Sequence, residues 1–137
     1  MLDTTVVSEW VKPSSDPRLV RCLSATDEDG IYLSVITVAE VRYGIERLDV
    51  GRRRTRLEDW LEHDLRERFS GRMLAVDERV ADVWGRLVAR CRAAGRPIGV
   101  MDAFIAATAE TAGLILVTRN ESDFATAGIR VHNPWAG

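Results

Sequence analysis

The feature that most constrains this chain is an alternation: short apolar runs separated by stretches of helical periodicity, with no linker, repeat or low-complexity segment between them. Such alternation belongs to α/β domains, in which crossover helices flank a mainly parallel central sheet. Candidate strands are Met1–Asp3, Ile31–Ser34, Met73–Val76, Leu114–Thr118 and Ile129–His132. Thr5–Val11 and Pro17–Ala25 read as short helices, and Val38–Leu48 and Arg52–Phe69 as a helical pair broken at Gly51. Within Arg79–Ala94, Val80, Val83, Trp84, Leu87, Val88 and Cys91 recur at helical spacing and form a stripe that must pack against something. Met101–Ala112 is rich in Ala, meets a terminator at Gly113 and runs straight into Leu114–Thr118. One domain over residues 1–137 is expected. A chain of this size buries roughly two thirds of the surface its unfolded form exposes and needs no disulfide or structural metal.

Four carboxylates far apart in sequence, Asp3, Glu40, Asp102 and Asp123, each stand beside the end of a candidate strand or in the first turn of a helix. In an open parallel sheet, sites form beyond the carboxyl ends of the strands, where Asp3, the Thr37–Glu40 turn and Asp123 would fall. Asp102, in the first turn of a crossover helix, can lean over the same edge. Brought together, four like charges repel and require a cation, so the pattern argues for a divalent-metal site. Most of these residues also have a local explanation. Thr37-x-x-Glu40 reads as a capping box, Asn120-x-x-Asp123 has the same pattern, and the helix dipole favours an acid at Asp102. Asp77, before the Arg79–Ala94 helix, is assigned to capping. Asp3 has no such need, since Thr4 or Thr5 could begin the helix, and the conjunction of the four outweighs the separate explanations.

Composition removes several function classes. A net charge of −2 argues against a broadly basic nucleic-acid-coating protein. Eighteen basic residues are Arg and only Lys12 is Lys, a bias that GC-rich codon usage explains, although Arg forks also suit phosphate or carboxylate partners. Cys22 and Cys91 stand in no CxxC or zinc spacing and read as reduced thiols. No signal peptide and no apolar run near ~20 residues is present, so a cytoplasmic protein with no membrane contact is expected. His63 and His132 read as surface residues.

LDTTVVSE at 2–9, LSVITVAEVRYGIERL at 33–48, GRPIGVMDAFIAATA at 95–109 and LVTRNESDF at 116–124 together resemble the PIN-domain family, most closely its VapC-type and FitB-type ribonuclease toxins from toxin–antitoxin modules. Each motif is weak alone, but the four occur in the family's order. The resemblance implies a PIN fold, a Mg²⁺- or Mn²⁺-dependent endoribonuclease acting on cellular RNA, a cognate antitoxin partner and a free homodimer. The family's acidic quartet maps onto Asp3, Glu40, Asp102 and Asp123. Its opening Asp-Thr-Asn or Asp-Thr-Ser reads Asp3-Thr4-Thr5, so Thr5 departs from the commoner Asn while keeping a hydroxyl. Thr118 and Asn120 match the polar residues flanking the last acid. Mg²⁺ keeps several waters and takes one or two direct carboxylates, so Asp3 and Asp102 are expected as direct metal ligands, with Glu40 and Asp123 acting through water or holding a second ion. Thr4, Thr118 and Asn120 are expected to orient a carboxylate, a water or a phosphate.

Arg52, Arg53, Arg54 and Arg56 share a helix with Glu58, Asp59, Glu62 and Asp64, so pairing on a solvated face stands against contact with RNA or an acidic antitoxin segment. Arg92 and Arg96, before the Asp102 helix, are placed for RNA backbone contact only through the resemblance. A haloacid-dehalogenase-like phosphatase needs Asp-x-Asp, and Thr5 occupies the second position. A receiver domain needs a Lys near its acids, and Lys12 lies past the first helix. A metal-dependent DNA or structure-specific nuclease and a non-catalytic PIN binding module stand as alternatives. The latter would be expected to lose acids, and none is lost.

Overall fold

The computed structural model describes residues 1–136. Four short strands pair in parallel: β1 (Leu33–Ser34) with β2 (Met73–Leu74), and β3 (Leu116–Val117) with β4 (Val131–His132). The opening segment joins the two pairs. Leu2 forms a parallel bridge with Val117 on one side, and on the other its N–H donates to the Tyr32 carbonyl at 3.0 Å. The order is therefore β2, β1, opening segment, β3, β4, and the winding reverses on either side of Met1–Asp3. A doubly wound sheet opens its crevice at such a switch point, beyond the carboxyl ends of its strands. Asp3 sits there.

Around the sheet run α1 (Thr4–Trp10), α2 (Pro17–Ser24), α3 (Val35–Glu46), α4 (Arg52–Asp59), α5 (Arg66–Arg68), α6 (Glu78–Ala93) and α7 (Val100–Ala112), with short 3₁₀ turns at Glu28–Gly30 and Glu121–Phe124. Successive strand residues point to opposite faces and divide the core in two. Leu2 and Leu33 join Val6, Leu19, Leu61 and Phe69 on one face, whereas Met1 and Leu116 join Leu87, Cys91, Ile105 and Phe124 on the other. Burying each large side chain contributes roughly 1.5–3 kcal/mol. The Ala residues at 103, 106 and 109 let α7 lie close against the α6 stripe. Cys91 is buried in that seam, and both cysteines are free thiols.

The strands are shorter than the apolar runs, because part of each run serves a turn. The Leu114 N–H bonds back to the Ala109 carbonyl at 2.9 Å, closing the end of α7, where Gly113 adopts a left-handed φ of 67°. Similarly, the Ile31 N–H bonds to the Glu28 carbonyl at 3.0 Å. The helix expected at Val38–Leu48 begins earlier, at Val35, because the Ser34 hydroxyl accepts the Ile36 N–H at 3.0 Å and caps it. The Arg52–Phe69 helix loosens into π-helix over Trp60–Leu65. Its apolar residues Leu57, Leu61, Leu65 and Phe69 recur every fourth position, slower than the 3.6-residue α-turn, and the wider turn keeps them on one face.

Candidate functional site

Asp3 closes the opening strand segment and starts α1 in a single step. Its Oδ1 accepts the Thr4 N–H at 2.7 Å, so Asp3 is the N-cap of α1, a role the sequence reading had denied it. Its Oδ2 accepts two hydroxyls, from Thr5 at 3.0 Å and from Thr118 at 2.6 Å. Thr118 is fully buried at the end of β3, and its hydroxyl also accepts the Asn120 N–H at 3.0 Å. The carboxylate is thus held from two chain segments at once, and only 3% of the residue is exposed.

Glu40 lies inside α3, and its neighbour Thr37 is buried one turn earlier. Since Ser34 caps this helix, Thr37-x-x-Glu40 is not a capping box. Glu40 instead takes the Thr4 hydroxyl on Oε1 at 2.6 Å, with the Thr37 hydroxyl 3.5 Å from Thr4. Helical side chains lean toward the amino end of their helix, which carries Glu40 toward the sheet edge. Asn120-x-x-Asp123 is not a side-chain capping box either. Only the backbone closes that turn, with the Asp123 N–H on the Asn120 carbonyl at 3.1 Å and Phe124 buried beneath it. Asp123 itself is exposed.

Asp102 stands in the first turn of α7, which begins after Gly99 without a side-chain cap. Trp84 of α6 fixes that turn: its indole N–H donates to the Val100 carbonyl at 3.3 Å, and its ring stacks on Phe104 with centroids 5.1 Å apart. Burial first, and then the charges of Asp3, Asp123 and Glu40, raise the Asp102 carboxyl to about 6. The other three sequence-predicted acids therefore all act on Asp102. The Asp77 side chain does cap α6, accepting the Val80 N–H at 3.0 Å, and is not among the charges that act on Asp102. His63 lies beside Asp59 at 3.6 Å on the exposed π segment, apart from the acids.

Among the described residues, no three carboxylate, imidazole or thiolate side chains converge tightly enough to hold an ion unaided. Sequence reasoning missed the buried hydroxyl of Thr37 as a neighbour of Thr4. Its position three residues before Glu40, on the same helix face, was the available signal. Thr5, the departure from the commoner Asn, bonds Asp3 directly. Alongside Glu40 runs a groove of about 430 Å³, floored by Val41, Ile45 and Trp60 and rimmed by Lys12, Arg53 and Arg56.

A PIN domain model matches residues 1–129. Toxin FitB of Neisseria gonorrhoeae is 37% identical over 135 residues, spanning 98% of this chain and 97% of that protein. VapC ribonuclease Y4jK of Sinorhizobium fredii is also 37% identical, over 98% of this chain and 96% of its own length. The structure of FitAB bound to an IR36 DNA fragment superposes with a TM-score of 0.91 at 36% identity, covering 98% of this chain and 94% of that one. With the domain model and these relatives matching along nearly the whole chain, the protein belongs to the PIN domain family.

Proposed function

We propose that this chain is the toxin of a type II toxin–antitoxin pair, a Mg²⁺- or Mn²⁺-dependent endoribonuclease that hydrolyses phosphodiester bonds of cellular RNA. One observation carries the reading: Asp102 is a partly buried carboxylate raised to about 6 by burial and by three other acids, with no hydrogen bond to its side chain among the described residues. Such a set is costly without a cation and binds one favourably. Oxygen donors at an open edge suit a hard ion that keeps several waters. Asp3 and Asp102 would hold it directly, while Glu40 and Asp123 would act through water. A divalent ion supplies charge neutralisation at the phosphate and an activated water. The protein's own part is orientation. Thr5 and Thr118 fix the Asp3 carboxylate, Thr4 fixes Glu40, and Thr118 holds the loop that presents Asn120 and Asp123.

Two similar proteins bear the names toxin and VapC ribonuclease, which supports this substrate class and an antitoxin partner. The groove has an apolar floor and Glu40 in its lining, so an antitoxin segment lying in it could extend an Arg or Lys toward the acids and take the place of the metal. A homodimer is part of the same reading. It is supported by the exposed apolar residues Val35, Val100 and Met101 at the starts of α3 and α7.

Induction of the wild type alone should arrest growth, whereas Asp102→Asn should not, and co-expression of the neighbouring antitoxin reading frame should relieve the arrest. Equal harmlessness of wild type and Asp102→Asn would favour a non-catalytic binding module instead.

A further inference from the structure

A cluster of acids repels the polyanion it is to cut, so an RNA-cleaving edge needs a cation close by to hold the strand. Several arginines are committed to acids elsewhere. Arg42 pairs with Glu62 at 3.0 Å, Arg54 with Glu46 at 2.7 Å and Arg90 with Glu110 at 3.5 Å. Arg119 differs in both position and support. It sits between Thr118, which bonds Asp3, and Asn120, and its N–H is 3.5 Å from the Thr5 hydroxyl. Its guanidinium lies over the Trp135 ring, 5.2 Å from the centroid.

That ring is a fixed shelf. The Trp135 N–H donates to Asn133 Oδ1 at 2.9 Å, its carbonyl accepts Arg18 Nη1 at 2.6 Å, and the residue is only 9% exposed. Asn133 Nδ2 in turn donates to the Arg119 carbonyl at 3.4 Å, so shelf and loop are tied together. Arg119 forms no ion pair within 4.0 Å among the described residues. The two acids that feel its charge have nearer partners, Glu9 in Lys12 at 2.7 Å and Asp16 in Arg18 at 3.0 Å. The Arg119 charge reaches Glu9 and Asp16 and is not among those acting on Asp102, so the guanidinium lies on the α1–α2 side of the acidic edge while its backbone borders the Asp3 contacts.

We propose that Arg119, held over the Trp135 ring, grips an RNA phosphate where the strand leaves the acidic edge on its α1–α2 side, and so sets the register of the strand on that edge. This subsite rests on the ribonuclease reading above. A guanidinium fork matches a phosphate in bidentate fashion, and its contact with the Trp135 ring restrains the side chain before the ligand arrives, so less side-chain freedom is lost on binding. Lys in the same place would keep the charge and lose the fork.

The test uses a short labelled single-stranded RNA of mixed sequence, with binding measured in Ca²⁺ across a NaCl series and cleavage in Mg²⁺. Arg119→Gln should lower the slope of log affinity on log salt by about 0.7, the loss of one single-strand phosphate contact. It should raise KM by about tenfold, the scale of one charge-assisted hydrogen bond, with a smaller effect on kcat. Arg119→Lys should recover the slope but not the whole of KM, and Trp135→Leu should raise KM with the slope retained. Arg66→Gln, the same charge change at an exposed α5 position, should alter neither. A wild type that cleaves this RNA, with Arg119→Gln keeping the full slope and KM, overturns the subsite alone. So does an equal loss in Arg66→Gln. A wild type that never cleaves RNA in Mg²⁺ overturns the ribonuclease reading and the subsite with it.

Discussion

Replacing Asp102 by Asn removes one member of a repelling set while keeping the side chain's shape, so its effect on stability reads out the electrostatic cost of the site. The carboxyl is raised from 3.8 to about 6, first by burial and then by Asp3, Asp123 and Glu40. At 1.36 kcal/mol per pK unit this would amount to about 3 kcal/mol for a fully enclosed group, and partial exposure of Asp102 reduces it to about 1–2 kcal/mol. The dipole of α7 favours the charge by about 0.3–1 kcal/mol, so the net gain on substitution should be near 1 kcal/mol, or about 3–5 °C in Tm. The sign follows from the direction of the shift. Below about pH 4 the carboxyl is protonated in both states and costs nothing. Between about 4 and 6 the folded protein holds a proton that the unfolded chain releases, so stability falls as pH rises, and above about 6 the full cost is present. Thermal melts in chelator at pH 4 and pH 7.5 should therefore show Asp102→Asn level with wild type at the lower pH and more stable at the higher. Millimolar Mg²⁺ at pH 7.5 should reverse the order, because only the wild type gains a full metal site. An Asn variant that is less stable than wild type in chelator, or that differs from it equally at both pH values, would refute the repulsion argument and leave Asp102 as a helix-start residue only.

Thr118→Val should destabilise the fold by about 1–3 kcal/mol, because the buried Asp3 carboxylate loses a 2.6 Å donor, and Thr118→Ser should restore most of it in chemical denaturation. Asp77→Ala should cost about 1 kcal/mol through loss of the α6 cap and leave RNA cleavage per folded molecule unchanged, since Asp77 is apart from the acidic edge. Light scattering of the free protein at tens of micromolar should give the mass of a dimer, and a monomer would remove that part of the reading. Raising salt should weaken binding of the antitoxin only in part, because apolar burial along the Val41, Ile45 and Trp60 floor is not screened.

What was readable in the sequence was set by local physics. The α6 stripe, the Gly113 terminator and the Asp77 cap all follow from spacing and residue type, and all appear where expected. Strand lengths did not, because Leu114 and Ile31 read as strand residues while their N–H groups close turns. The capping-box reading of Glu40 failed for a related reason: Ser34 and Thr37 can each start a helix, and only the sheet edge decides that Ser34 does so. Asp3 shows the converse: its cap is hidden in the sequence because Thr4 and Thr5 can also start a helix, and one carboxylate serves α1 and the Thr118 hydroxyl together. The four acids were legible as a set through their common placement at strand and helix ends, and Asp3, Asp123 and Glu40 all act on Asp102. The Arg119–Trp135 stack was invisible, because no pattern in sequence joins two residues whose contact depends on where the chain's last turns lie.

Cleavage of a labelled single-stranded RNA by purified protein, with Mg²⁺ and again in excess chelator, tests the metal-dependent ribonuclease most directly, with single-stranded DNA and the Asp102→Asn variant run alongside. The expected result is RNA cleavage by the wild type in Mg²⁺, none in chelator, none by Asp102→Asn, and DNA left intact. Undiminished cleavage in chelator, or equal cleavage by Asp102→Asn, would contradict a metal site built on these carboxylates.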